Sequence, residues 1–218
     1  ILDSSANLDG VMDLLIDAGK IVSVGGDAAE TARQREGSTL STPLEVIDAH
    51  DLLVVPGLID IHSHLREPGL EYKESIESGS AAAAAGGFTA IACMANTNPV
   101  NDDAAVTEYI RDKARAVGLV QVFPIGAVSV GLAGERLAEI GELSQAGVVG
   151  ISDDGKSVMN SQLMRRALEY AGMFGLPVIS HCEDTQLAAH GVMHEGRVST
   201  ELGLRGIPAQ AEDIMVAR

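Results

Sequence analysis

The sequence is poor in cysteine. Only Cys93 and Cys182 occur in 218 residues. Two thiols cannot build a disulfide framework, and they suit a reduced, cytoplasmic setting. Long apolar runs are also missing. None approaches the roughly 18–20 residues that a membrane-spanning helix needs, and no signal-peptide pattern is visible. Cations are scarce: 15 Lys and Arg stand against 31 Asp and Glu, for a net charge of −16. That balance argues against nucleic acid as the main ligand and for a soluble protein. No initiator Met is present, and Ile1 already lies in a strand-like pattern. Residues are therefore expected to precede it. What is abundant is apolar residues, 46% of the chain with a mean hydropathy of +0.16. A substantial core is expected and disorder is not.

Residues 1–55 read as a small β module of the sandwich type. Met12–Asp17, the turn Ala18-Gly19-Lys20 and Ile21–Gly25 form a strand–turn–strand hairpin. Residues 26–43 are polar and read as a loop. Leu44–Asp48 and Leu52–Val55 read as two further strands.

From residue 56 to 218 the pattern becomes strand–helix alternation. Strands are expected at 58–62, 88–94, 120–127, 148–152 and 177–180. Helices are expected near 71–85, 103–117, 135–146, 161–174 and 209–217. Asp102 or Asp103 caps the second of these, and Gly86-Gly87, Gly118 and Gly175 act as stops. Alternating βα units imply a parallel sheet. The fold class is α/β, a (β/α)8 barrel of which about five units are present. A full barrel takes around 250 residues, so the sequence reads as a fragment.

The chemistry concentrates in Asp60-Ile61-His62-Ser63-His64-Leu65-Arg66-Glu67-Pro68-Gly69. Histidines at i and i+2 on a strand share a face, and two neutral imidazoles are half of a zinc site. Arg66 offers a planar fork that fits a carboxylate. Three more clusters fall at expected strand ends. Asn96 offers an amide to a substrate carboxylate or imide, though Asn-Thr-Asn-Pro is also good turn chemistry. Of Asp153 and Asp154, one can ligate or bridge metal while the other faces solvent or caps the next helix. His181 can turn toward His62 and His64. Strand C-terminal ends are where such barrels carry their chemistry. A zinc ion lowers the pKa of water toward roughly 7, and a second ion polarises a carbonyl. The set therefore reads as metal-assisted opening or closing of an amide.

Asp-x-His-x-His after Pro56-Gly57-Leu58-Ile59 resembles the first strand of the amidohydrolase superfamily, and Arg66-Glu67-Pro68-Gly69 resembles its long-chain dihydroorotase branch. The resemblance extends over Asn96-Thr97-Asn98-Pro99, Ser152-Asp153-Asp154-Gly155 and His181-Cys182-Glu183-Asp184, almost the whole chain. It implies that His62, His64, Asp154 and His181 hold one or two zinc ions, with Asp154 bridging. It implies that Arg66 and Asn96, with His64, bind substrate. The implied reaction is reversible closure of N-carbamoyl-L-aspartate to dihydroorotate in pyrimidine synthesis, with a homo-oligomer or an aspartate carbamoyltransferase as partner. Asp154 lies 27 residues before His181, as that family spaces them. Lys156 lies past the glycine, so a carbamate bridge is not expected. The family's strand-6 His and strand-8 catalytic Asp have no counterpart here, and Ala95 stands where Pro is usual. The chain alone is therefore expected to be inactive, with no catalytic base.

Rival readings are a hydantoinase- or allantoinase-like amidase, a catalytically silent scaffold for a carbamoyltransferase, and a nucleotide-binding loop. The last rests on Gly150-x4-Gly155-Lys156-Ser157. Two carboxylates inside that loop would repel phosphate. His190 and His194 have helical i, i+4 spacing, but Gly191 and Gly196 disfavour a rigid helix there. His50 has no partner in the β module.

Overall fold

In the computed structural model, which describes residues 1–35 and 44–218, Ala90, Ile91, Ala92 and Cys93 are buried in succession. Such a run marks a central parallel strand, covered on both faces. The chain divides into two compact units, Ile1–Gly57 and Leu58–Arg218.

The first unit begins with two short antiparallel strands, β1 (Leu2–Asp3) and β2 (Leu8–Asp9). The hairpin expected next is present as β3 (Asp13–Asp17) and β4 (Lys20–Gly25). Its turn residues Ala18 and Gly19 have φ of 49° and 71°, the geometry that matches strand twist in a two-residue turn. A helix, α1 (Ala28–Arg35), follows where the sequence reads as loop. Ala28 and Ala32 lie one turn apart and bury against Leu15. This tertiary contact and alanine's helix propensity outweigh the segment's polar character. The rest of the expected loop, 36–43, lies outside the described residues.

The strands expected at 44–48 and 52–55 do not form. Val46, Ile47, Leu52 and Leu53 are 66–82% exposed. The backbone bond from Leu2 N–H to Val54 O, 2.9 Å, ties this stretch to β1. A strand persists only where a neighbour takes up its N–H and C=O groups, and apolar patterning does not supply one. The unit is thus mixed rather than all-β.

The second unit opens with β5 (Leu58–Ser63), α2 (Ile76–Ala85), β6 (Phe88–Cys93), α3 (Ala104–Val117) and β7 (Gln121–Pro124). The three strands form a parallel sheet in the order β5-β6-β7. Ser75 starts α2 with a reciprocal capping box to Ser78, so the helix begins later than the expected residue 71. Asp103 caps α3 by accepting from Val106 N–H, and Gly118 closes it at φ 66°. Asp102 instead accepts from Gly131 N–H at 2.7 Å. Leu65, Ile76, Ile91, Cys93, Val106 and Ile110 form one core between the sheet and these helices.

The fourth and fifth expected strands are reduced to single parallel bridges, Gly126–Ile151 and Ile151–Val178, which continue the sheet order. Pro177 cannot donate to a ladder. A Cβ on Gly150 would press on Pro177 at 3.3 Å. Regular pairing therefore lapses there. Beyond lie α4 (Ile140–Ala146), α5 (Ser161–Gly172), α6 (Thr185–Ala188), β8 (Met193–His194), α7 (Arg197–Leu202), β9 (Gly206–Ile207) and α8 (Gln210–Ala217). A second core joins Val128, Ile140, Ile151, Val158, Ala167 and Ala171. Among the described residues β5 pairs on one side only, and Ile59 and Ile61 are 64% and 74% exposed. The apolar run leading into His62 is therefore not the buried strand its composition suggests.

Candidate metal centre

His62 is the penultimate residue of β5 and His64 follows just past its end, so both imidazoles emerge on one side of the sheet's C-terminal end. The loop after β6 is drawn to the same place. Met94 N–H donates to Ser63 O at 2.9 Å, and Asn96 follows two residues later. The third contributor is the segment after the Ile151 bridges, held by Ser152 N–H to Gly126 O at 2.8 Å and by Ser152 Oγ to Ile179 O at 2.8 Å.

These segments bring three donors together. His62 Nε2 lies 3.2 Å from Asp154 Oδ1, and His64 Nε2 lies 3.6 Å from Asp154 Oδ2. One ligand atom from each residue lies within 4.8 Å of the other two. Two donors each about 2.0–2.1 Å from one tetrahedral zinc ion stand about 3.3–3.5 Å apart, so the spacing suits a shared divalent ion. Asp154 is 13% exposed in its side chain, His64 31% and His62 47%. The centre is thus open on the His62 side.

Asn96 links the donors. Its Oδ1 lies 3.1 Å from His64 Nδ1, and its Nδ2 donates to Asp154 Oδ2 at 3.2 Å. With Nδ1–H given to Asn96, His64 keeps the Nε2 lone pair for a metal. Arg66 Nη1 donates to the Asn96 backbone O at a long 3.5 Å, which leaves its fork free for an anion.

Asp153 does neither of the things expected of a non-ligating partner. It is 3% exposed. Its Oδ1 accepts from Val128 and Ser129 N–H at 2.8 and 3.0 Å, and its Oδ2 accepts from Ser129 Oγ. Burial raises its pKa against the opposing pull of those hydrogen bonds. Its partners lie 24 and 25 residues away in sequence, so no local pattern signals the inward turn.

His181 is not brought into the donor group. Its Nε2 lies 3.7 Å from Glu183 Oε2, and its backbone O accepts from Ser157 Oγ at 2.9 Å. The regular strand expected to deliver it is replaced by a single bridge at Val178. His190 has φ 62° just beyond α6, while His194 lies in β8, so no helix pairs them. Near the Gly-Lys-Ser pattern the next helix starts only at Ser161, so no helix N-terminus meets that loop. His50 lies 3.7 Å from Asp51, both exposed.

Fold and donor set together describe an α/β protein with a three-donor cluster at the strand ends that could hold a metal ion. Comparison with known proteins is consistent with this. The L-hydantoinase (dihydropyrimidinase) from Arthrobacter aurescens matches with a TM-score of 0.62 at 21% identity, over 82% of this chain and 38% of its own. A D-hydantoinase matches with a TM-score of 0.60 at 24% identity over the same shares. These likenesses establish the fold.

The family is set by sequence. The family described as dihydro-orotase-like matches residues 51–218, and this chain belongs to it. Relatives named dihydroorotase include those of Geotalea daltonii, 55% identical over 218 residues, and Geobacter sp. (strain M21), 57% identical. The relative from Acetivibrio thermocellus is 54% identical. Each match takes in all of this chain and 49% of the relative. The chain spans about half the length of the curated relatives it matches.

Proposed function

We propose that this chain supplies the His62–His64–Asp154 part of the active site of a zinc-dependent cyclic amidohydrolase, a dihydroorotase. It would act on N-carbamoyl-L-aspartate and dihydroorotate in pyrimidine synthesis, in the cytoplasm. The observation that carries the reading is the convergence of two imidazole nitrogens and a carboxylate beside the free fork of Arg66. The family membership and the relatives' names support it. The parallel sheet order supports a (β/α)8 barrel in the whole protein, with a composite β module around residues 1–55.

Zinc held by His62, His64 and Asp154 would act as a Lewis acid and would make hydroxide available near neutral pH. The chain's own residues do the rest. Arg66 holds the substrate carboxylate through paired N–H donors. Asn96 Nδ2 has a second N–H to offer the same anion while its first stays on Asp154. Asn96 Oδ1 keeps the proton of His64 on Nδ1. His181, which lies beside Glu183 outside the three-donor group, is the ligand the resemblance implies for a second ion. Ring closure joins the carbamoyl nitrogen to the side-chain carboxyl carbon and releases water; opening reverses it. The general base for these proton transfers is not among the residues gathered here, and the resemblance assigns it, with one further metal His, to later strands. A homo-oligomer or an aspartate carbamoyltransferase is the partner in this reading.

The test uses a form spanning the relatives' full length. It should close carbamoyl aspartate and retain zinc after gel filtration. Activity on hydantoins alone would favour the hydantoinase-like alternative. Zinc retention without turnover of either would favour a silent scaffold.

A further inference from the structure

Glu67 is 4% exposed, in the loop between His64 and α2. A buried carboxylate persists only with partners, and Glu67 has three. Its Oε2 accepts from Ile76 N–H, at the start of α2, at 2.8 Å. Its Oε1 accepts from Tyr109 Oη on α3 at 2.9 Å and lies 3.6 Å from Lys113 Nζ, one turn further on. The carboxylate raises the Tyr109 pKa, chiefly by accepting its hydrogen bond.

Both flanks of Glu67 touch the candidate site. Arg66, before it, has φ 60°, a left-handed conformation that is unfavourable for an L-residue. Such a conformation survives only where its surroundings dictate it. The guanidinium cannot dictate it, since its contact to Asn96 O is long at 3.5 Å. Pro68, after it, accepts from Asn98 N–H at 2.9 Å, docking this loop on the Asn96 loop.

We propose that Glu67 is the positioning residue for Arg66, its carboxylate clamped between the N-terminus of α2 and the Tyr109–Lys113 face of α3 so that the arginine fork is aimed beside Asn96. The inference rests on the dihydroorotase reading for what Arg66 binds. Glu67 touches no substrate; it fixes the backbone from which Arg66 projects. Gln replaces it poorly: only its carbonyl end accepts, so with that end on Ile76 N–H the Tyr109 hydroxyl must turn to accept from the amide and the Lys113 ammonium loses its charged partner.

The experiment compares Glu67→Gln and the milder Tyr109→Phe in a form spanning the relatives' full length. Glu67→Gln should raise KM for carbamoyl aspartate about tenfold, the scale of one charged hydrogen bond, with kcat little changed and zinc retained. Turnover of an uncharged cyclic imide should be unaffected. Tyr109→Phe should shift KM the same way by less. In an Arg66→Ala background, Glu67→Gln should add almost nothing, because what it positions is gone. Equal losses on both substrates, or additive losses with Arg66→Ala, would overturn the proposal. Hydrogen exchange at the amides of 65–71 provides a readout free of turnover: it should quicken in Glu67→Gln, and unchanged rates would also overturn the proposal. If the unmodified protein processes no carbamoyl aspartate, the functional reading fails and the exchange result alone decides the role of Glu67.

Discussion

His62 and His64 present their Nε2 atoms to opposite oxygens of one carboxylate. Neither imidazole alone can hold a divalent ion against water, so the double substitution His62→Ala, His64→Ala should abolish copurifying zinc. Undiminished zinc by atomic absorption would exclude this site. Asp153 invites a different test. Its truncation to Ala strands the Val128 and Ser129 N–H groups in the core, an expected loss of about 2–3 kcal/mol in denaturant midpoint analysis. Cys93 offers a pH test. Burial, opposed by the Leu65 N–H and the Arg66 charge, pushes its thiol from 9.0 up to about 11. The unfolded thiol ionises first, so this contribution to stability is intact below pH 9 and is lost as pH rises through about 11. Cys93→Ala should flatten the alkaline limb of the stability profile. An unchanged limb would mean that the thiol is not shielded as the fold requires.

At the scale of elements, the loop from Arg66 to Gly69 and the loop from Asn96 to Asn98 behave as one piece. Gly69 has φ 87°, and a Cβ there would stand 1.8 Å from Asn98 O. Gly69→Ala should cost about 2–4 kcal/mol through strain and collision together and should weaken zinc retention by moving Asn96. A thermal melt paired with zinc analysis checks both. These elements also show what sequence can reveal. Hairpin β3–β4, helices α3 and α5 and strands β5 and β6 are legible because local turn, cap and stop residues agree with the packing. The strands expected at 44–48 and 52–55 do not form, since a ladder depends on a neighbour that apolar patterning cannot name. Helix α1 is hidden in a polar stretch because two alanines suffice to bury it on Leu15. The pairing of His62 and His64 could be read from period-2 alternation, and Asp154 from its place after a strand. The inward turn of Asp153, the burial of Glu67 and the position of His181 depend on side-chain partners distant in sequence.

On the scale of the whole molecule, charge is the dominant long-range term. A net charge of −16 repels itself at low ionic strength, where the Debye length is about 30 Å at 0.01 M against about 10 Å at 0.1 M. The melting temperature should therefore rise by a few degrees over that range, and a fall would show that local ion pairs outweigh the net repulsion. Among the described residues no helix is long and apolar enough to cross a membrane.

The Asn96 amide has a consequence of another kind. An amide has one end that gives and one that takes, so the path from His64 through Asn96 to Asp154 has a sense of direction. With the amide so oriented, Asn96 takes the Nδ1 proton of His64 at one end and gives an N–H to Asp154 at the other. Asn96→Asp would erase the arrow, because a carboxylate accepts at both ends and has no N–H to give Asp154. The centre is therefore wired as well as shaped, and its polarity is written in one asparagine.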